Sequence, residues 1–243
     1  MRSDRPATVL LTRTDDELER ELRSRGASVV TIPCVRREPA DRAALVEALA
    51  GLDADDVLVL TSRAGVDAVA TVTDARALPC AVAVVGPATA AYLRRLGREP
   101  DVVPSVATGA SLAAQLPLPK GVVMLARSDR ALDDLPSTLT ARGARVREVV
   151  AYRSRAGADG DVAAAQEAVA AGATVVFASP TAVEGFSADV CPELSADCRV
   201  VAIGPTTARA VVRLLQVIPL VAAEPTADAV AEVALEGQVV AHR

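Results

Sequence analysis

A chain of 243 residues is long enough for one large domain or two modest ones, each with a core of its own. Its formal net charge of −5, the absence of Trp and the presence of only two Phe and two Tyr exclude a basic nucleic-acid footprint and an aromatic base-stacking platform. Cys34, Cys80, Cys191 and Cys198 form no C-x-x-C pair and have no His beside them, which points to reduced thiols in a cytoplasmic protein rather than disulfides or a metal centre.

In chain order, the opening MRSDRPATVLLTR has too short an apolar run for a signal peptide. No run reaches the ~18 apolar residues of a membrane span. ATVLLT (7–12) reads as a buried strand. The next segment, DDELERELRSRG, sets Leu18 and Leu22 on one helix face, with Thr14-x-x-Glu17 as a capping box and Gly26 as the stop. SVVTIP (28–33) is a second strand, followed by the polar linker CVRREPAD (34–41). DVLVLT (56–61), AVAVV (81–85), DVVP (101–104), VVMLA (122–126) and RVREVVAY (145–152) are further strands. A helix in DRALDDLPSTLTARG carries Leu132, Leu135 and Leu139 as its stripe. After a second polar linker, RSRAGADG (153–160), come the strands TVVFA (174–178), RVVAI (199–203) and PLVAA (219–223). Ten strands alternating with helices predict an α/β fold with parallel sheets.

The two halves repeat one another. VVGPATAAYLR (84–94) matches AIGPTTARAVV (202–212), and LTSRAGVDAVA (60–70) matches FASPTAVEGFS (177–187). Arg13 falls against Arg127, and Thr108 against Thr226. Two copies are too few for a solenoid, so two like domains are expected. A cut near LPLPKG (116–121) gives tandem halves. A cut at the paired polar linkers gives residues 1–34 plus 154–243 as one domain and 35–153 as the other. Composition leaves both divisions open.

Parallel α/β sheets bind ligands beyond the carboxyl ends of their strands, where helices begin. At Gly204-Pro205-Thr206-Thr207, Gly204 permits a tight turn, Pro205 suits the first helical position, and Thr206 or Thr207 can cap the helix. Such an end favours a carboxylate or phosphate. Similar starts occur at Gly86-Pro87-Ala88-Thr89, at Thr61-Ser62 and at Ser179-Pro180-Thr181. A single helix start of this kind is most often only a well-capped helix; the recurrence fits two facing jaws of a cleft. Arg13 and Arg127 follow equivalent strands and suit bidentate carboxylate recognition. The only His is His242, one residue from the end, which excludes a Ser-His-Asp site. No phosphate-loop or dinucleotide glycine motif occurs. Tyr152 closes a strand beside a linker, where a phenol can donate a proton or a hydrogen bond. Tyr92 sits in a helix pattern and reads as packing.

Together these segments resemble the uroporphyrinogen-III synthase family. The resemblance rests on Thr12-Arg13 after the first strand, R-G-A-x-V-x-x-x-P (25–33), T-S-x-x-x-V (61–66), V-G-P-A-T-A (85–90), V-x-x-Y-R (149–153), S-P-T-A-V (179–183) and I-G-P-T-T-A (203–208). The family's common T-R-P and T-S-P read Thr12-Arg13-Thr14 and Thr61-Ser62-Arg63 here. The resemblance implies two flavodoxin-like domains related by duplication, with an exchanged N-terminal segment and a cleft between them. It also implies cofactor-free cyclisation of hydroxymethylbilane, a linear tetrapyrrole, to uroporphyrinogen III, with loss of water and inversion of ring D through a spiro intermediate. Tyr152 then matches the tyrosine that assists departure of the hydroxyl. Thr61, Ser62, Thr89, Ser179, Thr206 and Thr207 match small polar binding residues, with Arg13 and Arg127 as carboxylate contacts. The implied partners are the bilane and, transiently, hydroxymethylbilane synthase; the implied state is a monomer, with no metal, nucleic acid or membrane. Two rival readings use the same two-lobed plan: a non-catalytic tetrapyrrole- or anion-binding regulatory module, and an extracytoplasmic solute-binding protein, against which the missing signal peptide counts.

Overall fold

The structure, a computed structural model, describes residues 7–191, 193–194 and 198–236. In chain order its elements are β1 (Thr8–Leu11), α1 (Asp16–Ser24), β2 (Ser28–Thr31), β3 (Val35–Pro39), α2 (Arg42–Ala50), β4 (Val57–Leu60), α3 (Arg63–Ala70), β5 (Ala81–Val84), α4 (Pro87–Arg95) and α5 (Gly109–Gln115). These are followed by β6 (Val122–Ser128), α6 (Asp134–Ala141), β7 (Arg145–Ala156), α7 (Val162–Ala170), β8 (Thr174–Phe177), α8 (Pro180–Asp189), β9 (Val200–Ala202), α9 (Pro205–Leu215), β10 (Leu220–Val221) and α10 (Ala227–Leu235). The α/β architecture with parallel sheets is as the alternating periods predict. Two compact units result, Met1–Arg36 with Arg155–Arg243, and Arg37–Ser154.

In the first unit the strand order is β10-β9-β8-β1-β2, every pair parallel. Side chains alternate across the sheet. Leu10, Val175 and Phe177 face one apolar cluster, while Val9, Leu11 and Val176 face the other. Phe177 meets Phe186 of α8 edge-to-face, with ring centroids 5.1 Å apart. Each such fully buried ring contributes about 1.5–3 kcal/mol of transfer free energy.

The second sheet runs β3-β7-β6-β4-β5, with β4, β5, β6 and β7 mutually parallel. Leu58, Leu60 and Met124 pack toward α3 residues Val66 and Val69, while Val57, Val59 and Leu125 pack toward Leu112 of α5 and Leu135 and Leu139 of α6.

Several local expectations change. The polar linker 34–41 contains a strand, β3, because strand pairing is made by backbone groups and needs no apolar side chains. DVVP (101–104) forms only an isolated bridge, Ala83 to Val102. The cap of α1 is Asp15, whose carboxylate accepts from the Leu18 amide at 3.2 Å, so Thr14 lies one residue outside the helix start. Gly26 does stop α1, with φ of 82°. Leu132 is 75% exposed because α6 begins only at Asp134; of the three leucines, Leu135 and Leu139 are buried, with Pro136 beside them.

Candidate functional site

In each sheet the parallel strands end on one edge, and the predicted site residues collect on those edges. Ser62, two residues beyond β4, is the N-cap of α3 and accepts from the Gly65 amide at 3.2 Å. Ser179 holds the same place beyond β8, capping α8 through the Ala182 amide at 3.2 Å. Thr61 is half-buried beside Ser62.

The Gly-Pro starts behave differently. Gly86 and Gly204 are themselves the N-caps of α4 and α9, with Pro87 and Pro205 in the first helical position and no side-chain cap on either. Thr206 and Thr207 therefore do not cap α9, against expectation. They already lie inside its first turn, whereas a capping residue needs extended dihedrals. Gly204 has φ −177° and ψ 175°, extended backbone open to any residue, so its value there is the absence of a side chain rather than a tight turn. The first-turn amides of α9 are left to an outside acceptor. Thr89 and Thr207 are buried, and Thr206 is exposed with its hydroxyl 3.3 Å from Nη2 of Arg209.

The two arginines part company. Arg13 is exposed beyond β1, its guanidinium paired with Asp15 (Nε to Oδ2, 3.0 Å). Arg127 is only 8% exposed. Its Nη1 donates to the Leu132 carbonyl at 2.6 Å, and its Nη2 meets Glu148 at 2.5 Å and Asp133 at 3.4 Å. A buried guanidinium must be paired, and these partners turn it inward to tie the loop after β6 to β7.

Tyr152 and Ser62 come together, 90 positions apart in sequence, with the phenol oxygen 2.9 Å from Ser62 Oγ. The contact depends on an irregularity. Along β6 and β7, Arg127 faces Val150 but Ser128 faces Tyr152, so Ala151 is an extra residue in β7. Strand alternation would put Ala151 and Tyr152 on opposite faces. The slip lets both pack against the cluster of Leu60, Val66 and Met124, the face on which α3 begins. Because Ser62 Oγ already accepts from the Gly65 amide, its own proton or that of the phenol completes the pair, and the phenol is left partly accessible.

Sequence reasoning missed Glu148, Asp129 and Ser154, which brace this edge; charged and hydroxyl residues in an exposed strand or turn carry no signal of such roles. Tyr92 packs as expected, with its hydroxyl on Asp67 and the Arg95 guanidinium 4.9 Å from the ring centre. All four cysteines are free. Among the described residues no group of three or more His, Cys, Asp or Glu could hold a metal ion, and no helix is long and apolar enough to cross a membrane. His242 lies outside the described residues.

Comparison with known proteins decides the family. The model of the family described as uroporphyrinogen-III synthase HemD matches residues 16–232. The chain belongs to the uroporphyrinogen-III synthase family. A uroporphyrinogen-III synthase of Synechococcus elongatus is 31% identical over 160 residues, which is 61% of this chain and 61% of that relative's length. Among solved structures, uroporphyrinogen-III synthetase from Helicobacter pylori superposes with a TM-score of 0.63 at 15% identity, covering 95% of this chain and 99% of that one. A mutant uroporphyrinogen III synthase from Thermus thermophilus gives 0.54 at 21% identity, over 93% and 96%. At these identities the structural likeness establishes the fold. Within the uroporphyrinogen-III synthase frame, the segments around Ser62, Thr89, Tyr152, Ser179 and Thr206 all fall inside the matched residues.

Proposed function

We propose that this chain is a uroporphyrinogen-III synthase, a lyase that needs no cofactor and converts hydroxymethylbilane to uroporphyrinogen III. The family match over residues 16–232 carries the reading. The donors at the strand ends suit the substrate's chemistry. The bilane bears many acetates and propionates, and the first-turn amides of α9 and α4, which no side chain caps, with Thr206 and Arg13 beside their own helix starts, can donate to carboxylates without a metal.

In this reading the Tyr152 phenol, steadied by Ser62, donates a hydrogen bond to the terminal hydroxyl of the bilane. The C–O bond breaks with electron density from the pyrrole nitrogen, the hydroxyl takes up a proton and leaves as water, and an azafulvenium remains. The substituted carbon of ring D attacks that cation to form the spiro intermediate, which reopens; the free α-carbon of ring D then closes the ring with ring D inverted, and the proton it loses balances the one the hydroxyl took up. The protein's contribution is to hold one folded conformer of the chain and exclude water. Arg127 serves this indirectly, as the brace of the loop after β6.

The finer architecture belongs to the same proposal: two flavodoxin-like domains, 1–34 plus 154–243 and 35–153, arisen by duplication with the N-terminal segment exchanged. In its support, the order β10-β9-β8-β1-β2 corresponds to Val102-β5-β4-β6-β7, with β1 beside β8 where its counterpart β6 lies beside β4. The helix starts pair as well: Ser caps on α3 and α8, Gly-Pro starts on α4 and α9, Thr caps on α5 and α10. A cytoplasmic monomer that meets hydroxymethylbilane synthase transiently completes the proposal.

The test is an isomer assay. Protein supplied with freshly prepared hydroxymethylbilane is expected to yield type III uroporphyrinogen, and Tyr152→Phe to slow turnover while leaving the fold intact. A product mixture no different from spontaneous closure, which gives type I, rejects the reading.

A further inference from the structure

The slip between β6 and β7 needs something to hold it, and the residues just beyond it do so. The Asp129 amide donates to the Tyr152 carbonyl at 3.2 Å. The Asp129 carboxylate Oδ1 accepts from the Ser154 amide at 2.9 Å and lies 3.3 Å from Ser128 Oγ. Ser128 Oγ in turn pairs with Ser154 Oγ at 2.9 Å and accepts from the Arg130 amide at 3.2 Å. One residue of the turn after β6 thus grips β7 twice immediately after Tyr152, at its carbonyl and at the amide two residues on. With the two peptide planes that follow Tyr152 fixed, the phenol is held on the face where Ser62 lies, 2.9 Å away. An unlatched β7 regains ordinary register by sliding one residue, and a slide of one residue turns every following side chain to the other face of the sheet.

We propose that Asp129 is a positioning residue for the reaction: its carboxylate latches the β7 bulge and so keeps the Tyr152 phenol on Ser62. The proposal rests on the reading of Tyr152 given above. The latch requires the acceptor atom to sit within reach of the Ser154 amide, as Oδ1 does at 2.9 Å. Asparagine keeps an oxygen in the same place, whereas glutamate keeps the charge and moves it by one methylene.

The experiment follows turnover and isomer ratio in Asp129→Ala, Asp129→Asn and Asp129→Glu, each alone and with Tyr152→Phe. Misplacing a group by about 1 Å costs up to about a hundredfold in rate, and a partly released strand is expected to lose about tenfold in kcat with KM nearly unchanged. Asp129→Ala and Asp129→Glu show that loss and a larger share of type I product; Asp129→Asn stays near wild type. In the Tyr152→Phe background none of the three causes further loss, because residues acting through one group are not additive. The reverse ranking, with glutamate active and asparagine impaired, overturns the proposal, as does an equal loss with and without the phenol. Either result leaves the role of Tyr152 standing; a Tyr152→Phe enzyme of full activity removes that role and the latch together.

A readout independent of turnover comes from composition. With no Trp and two Tyr, the Tyr92→Phe protein has Tyr152 as its single strong fluorophore. Asp129→Ala in that background is expected to lower the anisotropy of Tyr152 emission and raise its quenching by acrylamide. Unchanged emission overturns the latch even in a protein that fails the isomer assay.

Discussion

Gly204→Asp separates stability from binding at one atom. The substitution is sterically free, since a Cβ at Gly204 meets nothing within 4 Å and the extended backbone there suits any residue. The new carboxylate falls where Asp41 and Asp161 sit on their own helices, accepting first-turn amides at 2.9 Å and 3.0 Å. Replacing a glycine cap by Asp is worth a few tenths of a kcal/mol, and a negative charge at a helix N-terminus adds ~0.3–1 kcal/mol. A gain of about 1 kcal/mol raises Tm by about 2–4 °C in a chain of this size. The same carboxylate occupies the amides proposed to hold a substrate carboxylate and repels that carboxylate as well. A charge-assisted hydrogen bond is worth ~1.5–3 kcal/mol, so its loss raises KM about tenfold to a hundredfold. The assay pairs calorimetry with initial rates across a range of hydroxymethylbilane. Because the variant is more stable, weakened binding cannot be ascribed to unfolding. A raised Tm with an unchanged KM refutes carboxylate binding at α9.

Two further outcomes follow from packing in the first unit. A Cβ on Gly185 of α8 falls 2.1 Å from the Cys34 carbonyl oxygen and 2.4 Å from the Gly157 amide nitrogen, both backbone atoms, which are joined to each other by a 3.2 Å hydrogen bond. Gly185→Ala gains about 1 kcal/mol of helix propensity but must displace that crossing, for a net loss of about 2–4 kcal/mol in urea denaturation; a neutral result contradicts the close approach. The Cys34 thiol is pushed up from its ordinary 9.0 to about 12, chiefly by burial and secondarily by the Asp189 carboxylate. The unfolded thiol ionises above about pH 9 while the folded one stays neutral, so this contribution to stability is complete below pH 9 and is lost as pH rises toward 12, at up to about 1.4 kcal/mol per pH unit. Cys34→Ala is expected to flatten that decline, and equal slopes for the two proteins count against the raised thiol.

The sequence by itself determined what depends on neighbours along the chain. The apolar run VLVL of β4, the Leu18 and Leu22 pair and the Gly-Pro helix starts are local patterns, because burial on a sheet or helix repeats every two or 3.6 residues whatever lies opposite. The serine caps at Ser62 and Ser179 were legible for the same reason, since a cap reaches amides only three residues on. Even local chemistry misled where two neighbours compete, as with Thr14 and Asp15, or where a helix begins two residues earlier than a cap at its first hydroxyl suggests, as at Thr206. Tertiary structure alone decided the rest. β3 is a strand because β7 offers it a backbone edge, and nothing in Val35–Pro39 announces that. Arg127 turns inward because Glu148 arrives on the adjacent strand. Tyr152 reaches Ser62 because β7 carries one more residue than β6 at a single place. Register is an agreement between two segments, so neither segment read alone contains it.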